Sequence, residues 1–441
     1  MTPPTFPSAL PVVIIGAGPV GLAAAAHLVE RGLTPLVLEA GPAVGHSIRQ
    51  WAHVRMFSTW EFGIDTASRR VLEVTGWQAP AGCGYPTGGD FVTRYLEPLA
   101  ATPALRPHIR TNARVIGVAR QDLGRLNTGS QRDSTPFLIQ IDHDGAVEEV
   151  LAAAVIDCSG TWTTPSPAGS HGLPAVGEAQ HADRIAYGIP DVLGAARADY
   201  AGRTTLVVGA GHSAMNAVLD LVTLAQAEPE TKILWAFRRP LAGVNFGGGA
   251  KDALTQRGAL GRRAEALIDG QRVTALAPFR LDRITTGADS RLSIAGRLDG
   301  TPTTVSADRV VVATGFRPDF RFLSEVRLGL DPAVEATPIL APMIDPNLHS
   351  CGTVRPHGEA ELRHPEPGFW IAGMKSYGRA PTFLLATGYE QVRSIAAHLA
   401  GDHAAARRVD LVLPETGVCS TNRPAQPPAV ATPVPVAACC G

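Results

Sequence analysis

Among the six cysteines (positions 83, 158, 351, 419, 439 and 440) there is no CxxC or CxxxxC spacing, which excludes a thioredoxin-type redox pair and a zinc knuckle. The thirteen histidines contain no HxxxH or HExxH spacing, so no metal site is expected. Charge of either sign is not in excess: 39 Lys plus Arg against 40 Asp plus Glu leave a net charge of −1. No field therefore favours nucleic acid or an anionic membrane surface. The Gly247-Gly248-Gly249 run with Lys251 and Asp252 lacks the GxxxxGK[ST] pattern of a P-loop and reads as a loop over a site. LPETG at 413–417 lacks the apolar span and basic tail that would make it a sorting signal. The uncharged stretch 8–27 is broken by Gly16, Gly18, Pro19 and Gly21, which fits a strand and a turn better than a membrane span. A cytoplasmic protein is expected, with a small-molecule substrate, no nucleic-acid or membrane partner, and a possible homodimer.

A chain of 441 residues is too long for one core and divides into two or three domains. In PVVIIGAGPVGLAAAAHLVERGL, followed by PLVLEAG, an apolar strand leads through GxGxxG into an Ala-rich helix and a second strand that ends at Glu39. Each residue has a physical task. Gly16 permits the tight turn, Gly18 lets a pyrophosphate approach the backbone, and Gly21 lets helix and strand pack closely. The helix start at Pro19 presents free amides to the phosphates, and the Glu39 carboxylate can accept from a ribose diol.

The design recurs in TTLVVGAGHSAMNAVLDLVTLA and KILWAFRRP. Gly209 and Gly211 take the first two glycine roles, Ala214 the third, and His212 and Ser213 open the helix. Arg238 and Arg239 stand where the first unit has its acid. Guanidinium groups bind a 2′-phosphate that a carboxylate would repel, so this unit is expected to take NADPH and the first FAD. Two further apolar strands, in VIDCSGTW and RVVVATGFRPD, run to turns at Gly160 and Gly315. Cys158, inside the first of these, reads as a packed thiol. The expected architecture is α/β, with two Rossmann-like domains and the NADPH domain inserted into a discontinuous FAD domain. Residues 1–165 and 310–402 form the FAD domain and 166–309 the NADPH domain; 403–441 are a flexible, Pro-rich tail ending in Cys-Cys-Gly. Val392, Ile395, Ala396 and Leu399 mark a closing helix that ends at Gly401.

Together these motifs resemble the two-dinucleotide-binding-domain flavoproteins, which include flavin-containing monooxygenases and thioredoxin reductases. GPAVGHSIRQW is similar to the monooxygenases' flavin segment, which would place Gln50 and Trp51 at the flavin; TNARVIGV resembles the strand that would set Val115 beside the adenine. The closing helix, near Gly388, would point its N-terminus at the flavin ring. Departures exist. The FxGxxxHxxxY fingerprint survives only around Gly177 and His181, with Ala175 and Ile185 at its aromatic ends, and the usual Gly-Asp near the flavin ribitol reads Gly373-Met374. GMKSYGRAPTFLLATGYEQVR resembles flavoproteins encoded in bacterial arsenic-resistance clusters, which are monooxygenase-like.

The resemblance implies an FAD-dependent NADPH oxidoreductase, with three outlets for its electrons. One is oxygen, with an atom transferred to a soft nucleophile such as a sulfur, nitrogen or arsenic centre. The second is a disulfide or thiol-bound metalloid reached by Cys439 and Cys440, whose vicinal thiolates suit soft ligands. Their tether of about 20 residues reaches roughly 25 Å as a coil. The third is a redox sensor, which two complete cofactor sites argue against. Arg379, just before the closing helix, is a candidate for the substrate side of the flavin.

Overall fold

The structure is a computed structural model that describes residues 10–244, 246, 255–348, 354–380 and 383–411. Two five-stranded parallel sheets form its framework. In the first, β1 (Val12–Ile15) lies between β2 (Pro35–Leu38) and β7 (Ala154–Asp157); β3 (Ile109–Arg110) and β16 (Phe369–Ile371) are the edges. All four residues of β1 and of β7 are buried, as expected of a parallel sheet covered on both faces.

The helix Pro19–Glu30 covers one face. Ala23, Ala24, Ala25 and Ala26 are all fully buried, and these small residues let the helix fit between the sheet and the closing helix Leu385–Leu399. Val392, Ile395 and Ala396 seal the contact, and Gly401 ends the helix in the left-handed region with φ 80°.

The second sheet has the order β11-β10-β9-β15-β8, with β8 (Ile185–Tyr187), β9 (Thr204–Val208), β10 (Lys232–Ala236), β11 (Thr274–Leu276) and β15 (Arg309–Val312). Its helix, His212–Ala227, follows β9 as Pro19–Glu30 follows β1. Each parallel sheet is accompanied by a three-stranded antiparallel one: β4 (Ala113–Arg120), β5 (Phe137–His143) and β6 (Ala146–Ala152) in the first case, β12 (Phe279–Thr286), β13 (Leu292–Leu298) and β14 (Thr301–Ala307) in the second.

The first sheet is discontinuous in sequence, because β16 returns after the whole second sheet to pair with β7. A buried ion cluster fixes that return. Arg120 Nε donates to Glu366 Oε1 at 2.8 Å, Arg132 Nη2 donates to Glu366 Oε2 at 2.7 Å, and the Arg120 guanidinium lies 3.7 Å from the Phe137 ring centre. Three residues beyond Glu366, the chain enters β16.

Two boundaries are corrected. The first domain was expected to resume at 310, but Val310–Val312 pair in parallel with Leu206–Val208 of β9 and with β8, so β15 belongs to the second sheet. An apolar run next to a glycine turn does not reveal which of two parallel sheets it joins. The tail was expected to be flexible from 403, yet His403–Arg407 is a helix, capped by Asp402 and packed on the closing helix. Arg393 Nη1 donates to the Ala405 carbonyl at 2.8 Å and Ser394 Oγ to the Ala406 carbonyl at 2.6 Å.

Candidate functional site

At the carboxyl ends of β1 and β7 the backbone makes the first tight turn. Gly16 takes φ 99°, and a Cβ there would stand 2.9 Å from the Cys158 carbonyl oxygen. A Cβ on Gly21 would stand 2.0 Å from the Gly16 carbonyl oxygen, so helix and turn touch through bare backbone. Gly18 and Gly160 behave differently: a Cβ at either would meet nothing within 4 Å. They face a cradle bounded by the helix start at Pro19. Glu39 reaches across this turn, its Oε2 accepting from the Ala17 N–H and its Oε1 from the Gly41 N–H, both at 2.8 Å. Each oxygen keeps a lone pair for a diol. Val115 lies on β4, two residues after Ala113, whose N–H donates to the Glu39 carbonyl.

Around the second turn the pattern is the same. Gly209 takes φ 137° and a Cβ there would be 2.3 Å from the Ala313 carbonyl oxygen, whereas Gly211 and Gly315 face open space. Ala214 is fully buried in the third position. His212 and Ser213 form the first turn of the helix, and the Phe57 ring packs edge-on against His212 at 5.2 Å. Arg238 and Arg239 follow β10 on an exposed edge; Arg238 Nη1 is 3.5 Å from the Ser170 carbonyl oxygen. Both turns thus combine a first glycine that has no room for a side chain, Gly16 or Gly209, with a pair of glycines that face open space. These cradles fit a dinucleotide pyrophosphate.

The two domains meet along a pair of antiparallel connections. Ser166 N–H donates to the Gly315 carbonyl at 2.8 Å and Arg317 N–H to the Thr164 carbonyl at 2.9 Å. Trp162 stacks on Phe316 with ring centres 4.6 Å apart, lies 6.4 Å from Trp51, and donates its Nε1–H to Gln50 Oε1 at 2.8 Å. Gln50 and Trp51 are thereby brought to the cleft between the domains. Trp162 and Phe316 were missed in the sequence, although each stands one or two residues after a glycine that was singled out.

In the segment Gly373–Tyr377, where the sequence marked Gly373 and Met374, it is Lys375 that was not singled out. Lys375 Nζ donates to Asp157 Oδ2 at 2.6 Å and to Ser159 Oγ at 3.1 Å, and lies 4.5 Å from the Phe322 ring centre. Neither Lys375 nor Asp157 has any side-chain exposure. Gln391 of the closing helix accepts from the Gly373 N–H through Oε1 at 2.7 Å, and its Nε2 contacts Ser376 Oγ and His357 Nε2, both at 2.9 Å. Burial holds the His357 imidazole below its ordinary pKa, and the neutral ring donates from Nδ1 to the Arg355 carbonyl at 3.1 Å while Nε2 accepts. Burial, together with Asp157, pushes the Cys158 thiol well up, against the opposing pull of Lys375, so it stays protonated beside the first turn and is no nucleophile.

Two expected site residues, Gly388 and Arg379, make contacts within the protein. Gly388 is a packing glycine, since a Cβ there would stand 2.6 Å from Val20 Cγ2 and 2.8 Å from the Phe383 ring. Arg379 is exposed and its Nη2 donates to Glu335 Oε1 at 2.8 Å. Cys439 and Cys440 lie outside the described residues, as does the Gly247–Asp252 run. In the fingerprint remnant, His181 Nδ1 is 2.7 Å from the Gly177 carbonyl and closes a local turn. Among the described residues, no group of three or more His, Cys, Asp or Glu could hold a metal ion, and no helix is long and apolar enough to cross a membrane.

The profile of the family described as pyridine nucleotide-disulphide oxidoreductase matches residues 13–139. The indole-3-pyruvate monooxygenase YUCCA6 of Arabidopsis thaliana is 28% identical over 214 residues, which is 47% of this chain and 44% of that protein. The match thus spans less than half the length of that curated relative. Among solved structures, the bacillithiol disulfide reductase of Bacillus cereus superposes with a TM-score of 0.65 at 20% identity, covering 89% of this chain and 99% of that one. DfoA, the FAD-bound cadaverine monooxygenase of Erwinia amylovora, gives a TM-score of 0.61 at 13% identity over 95% and 99% of the respective chains. These likenesses give the chain the α/β fold of those solved structures, with two parallel sheets that each end in a glycine turn.

Proposed function

We propose that the chain is an NADPH-dependent FAD oxidoreductase of monooxygenase type, acting on a soft nucleophile such as a sulfur, nitrogen or arsenic centre. The observation that carries this reading is the pair of cradles. Gly18 and Gly211 both face open space at helix starts, with Glu39 beside the first and the Arg238–Arg239 pair beside the second. The carboxylate suits the free ribose diol of FAD, and the guanidinium groups suit the 2′-phosphate of NADPH. Held in the first cradle, FAD would supply the redox chemistry between the nicotinamide and the acceptor.

The chain's own residues bind and shield. Amides at the starts of helices Pro19–Glu30 and His212–Ala227 hold the two pyrophosphates. Trp51, Trp162 and Phe316 wall the cleft between the domains with apolar surface and restrict water there. Lys375, paired to Asp157, fixes the Gly373–Tyr377 turn against the end of β7. The relatives named as monooxygenases favour oxygen as the electron acceptor; the reductase alternative rests on Cys439 and Cys440.

Oxygen uptake with NADPH tests the choice. Uptake stimulated by a thioether, amine or trivalent arsenical, and matched by the oxygenated product, is expected. Turnover that needs no oxygen and disappears when Cys439 and Cys440 are both replaced by Ser would assign the reductase reading instead.

A further inference from the structure

At the opposite edge of the second sheet from the glycine turn, a cavity of about 560 Å³ opens beneath the first residues of β9, β10 and β11. Its volume falls in the range of small-molecule sites, roughly 300–1,000 Å³. Val222, from the far end of the helix that begins at His212, meets Ile233 and Val273 in an apolar patch at the base, all three buried, while Thr204, Thr231, Thr274 and Ser306 make the walls polar. The rim carries three cations, Lys232, Arg272 and Arg291.

Arg291 is held in place, its Nε donating to Asp308 Oδ1 at 3.0 Å. The other oxygen of Asp308 accepts from the Thr204 N–H at 2.7 Å, so this acid is already committed. Among the described residues, Lys232 and Arg272 form no ion pair or side-chain hydrogen bond. Lysine is scarce here, with three in the chain: Lys232, Lys251 and Lys375. An apolar patch beneath two cations that form no ion pair among the described residues, Lys232 and Arg272, matches one ligand chemistry. A carboxylate would meet the rim through charge-assisted hydrogen bonds while its apolar body covers the patch.

We propose that this cavity binds a small carboxylate with an apolar body, at a site separate from both dinucleotide cradles. β10 runs from Lys232 at the cavity to Ala236, next to the Arg238–Arg239 edge, so the strand's length separates the two sites.

Calorimetric titration of the flavin-loaded full chain with 4-phenylbutyrate, beside its neutral analogue 4-phenylbutanol, is the test. One saturable site is expected for the acid, with roughly tenfold weaker binding of the alcohol. Replacing both cations, K232Q with R272Q, is expected to weaken the acid by a similar factor while flavin absorbance, which reports the fold, is retained. Saturating NADP⁺ should leave the acid's affinity unchanged. Absence of saturable binding, equal affinity for acid and alcohol, or displacement by NADP⁺ would each overturn the proposal; the analogue and NADP⁺ arms use the unaltered chain and do not depend on the variant's folding.

Discussion

Lys375 and Asp157 show how much a single pair can matter at the residue scale. Both are fully buried, so removing one partner leaves an uncompensated charge in the interior. Lys375→Met is expected to cost about 3–5 kcal/mol of stability, and Lys375→Met with Asp157→Asn to recover much of it. Urea unfolding of the three chains checks this; equal stability of the single variant and the parent would refute the pairing. His364 provides a pH signature. Burial lowers its pKa to about 4, and its Nδ1 accepts from the Gly329 N–H at 3.2 Å. Because the folded value lies below the unfolded one of 6.5, the unfolded chain binds the proton first. The contribution is therefore complete above pH 6.5 and is lost as pH falls toward 4. It amounts to about 3 kcal/mol, and His364→Gln should flatten the stability profile across that window. These buried partners were invisible in the sequence, because Asp157 and Lys375 are joined only by the pairing of β7 with β16. Arg379, four residues from Lys375, drew notice instead for its place just before the closing helix.

At the scale of single elements, the two turns were legible residue by residue. A strand, GxGxxG, a helix and a second strand leave little freedom, and Gly16, Gly21, Glu39, Gly209 and Ala214 took the places their spacing required. The contrast between Gly18 and Gly21 gives a direct prediction. Gly21→Ala would press a methyl onto the Gly16 carbonyl oxygen and should destabilise the fold itself. Gly18→Ala meets nothing within 4 Å, so the chain should fold normally and lose flavin affinity alone. Circular dichroism melting with flavin content separates the two. Replacing Arg238 and Arg239 with Ala should weaken NADPH far more than NADH, measured as the concentration giving half-maximal flavin reduction. Less was legible where an element's partner lies far away in sequence. The β15 run ends in the same strand-glycine pattern as β7, and only its register with β9 shows which sheet it joins. Gly388 was read as a ligand-facing glycine, whereas its spacing from Val20 makes it a packing contact.

For the whole molecule, insertion of one parallel-sheet domain into another sets the arrangement. The return of β16 is enforced by Glu366 between Arg120 and Arg132, and the two domains are joined by the paired segments at Thr164–Ser166 and Gly315–Arg317. Both glycine cradles are built from short-range sequence, which is why they could be read before the fold. The cleft between them, with Trp51, Trp162 and Phe316, depends on how the domains meet, which no local pattern encodes. In the proposed function the first cradle holds FAD and the second delivers NADPH electrons to it. The decisive experiment is anaerobic rapid-mixing reduction of the purified chain by NADPH and by NADH. One FAD per chain is expected, reduced by NADPH at concentrations far below those needed for NADH. A chain that carries no FAD when supplied with it, or that is reduced equally well by both nucleotides, would contradict it.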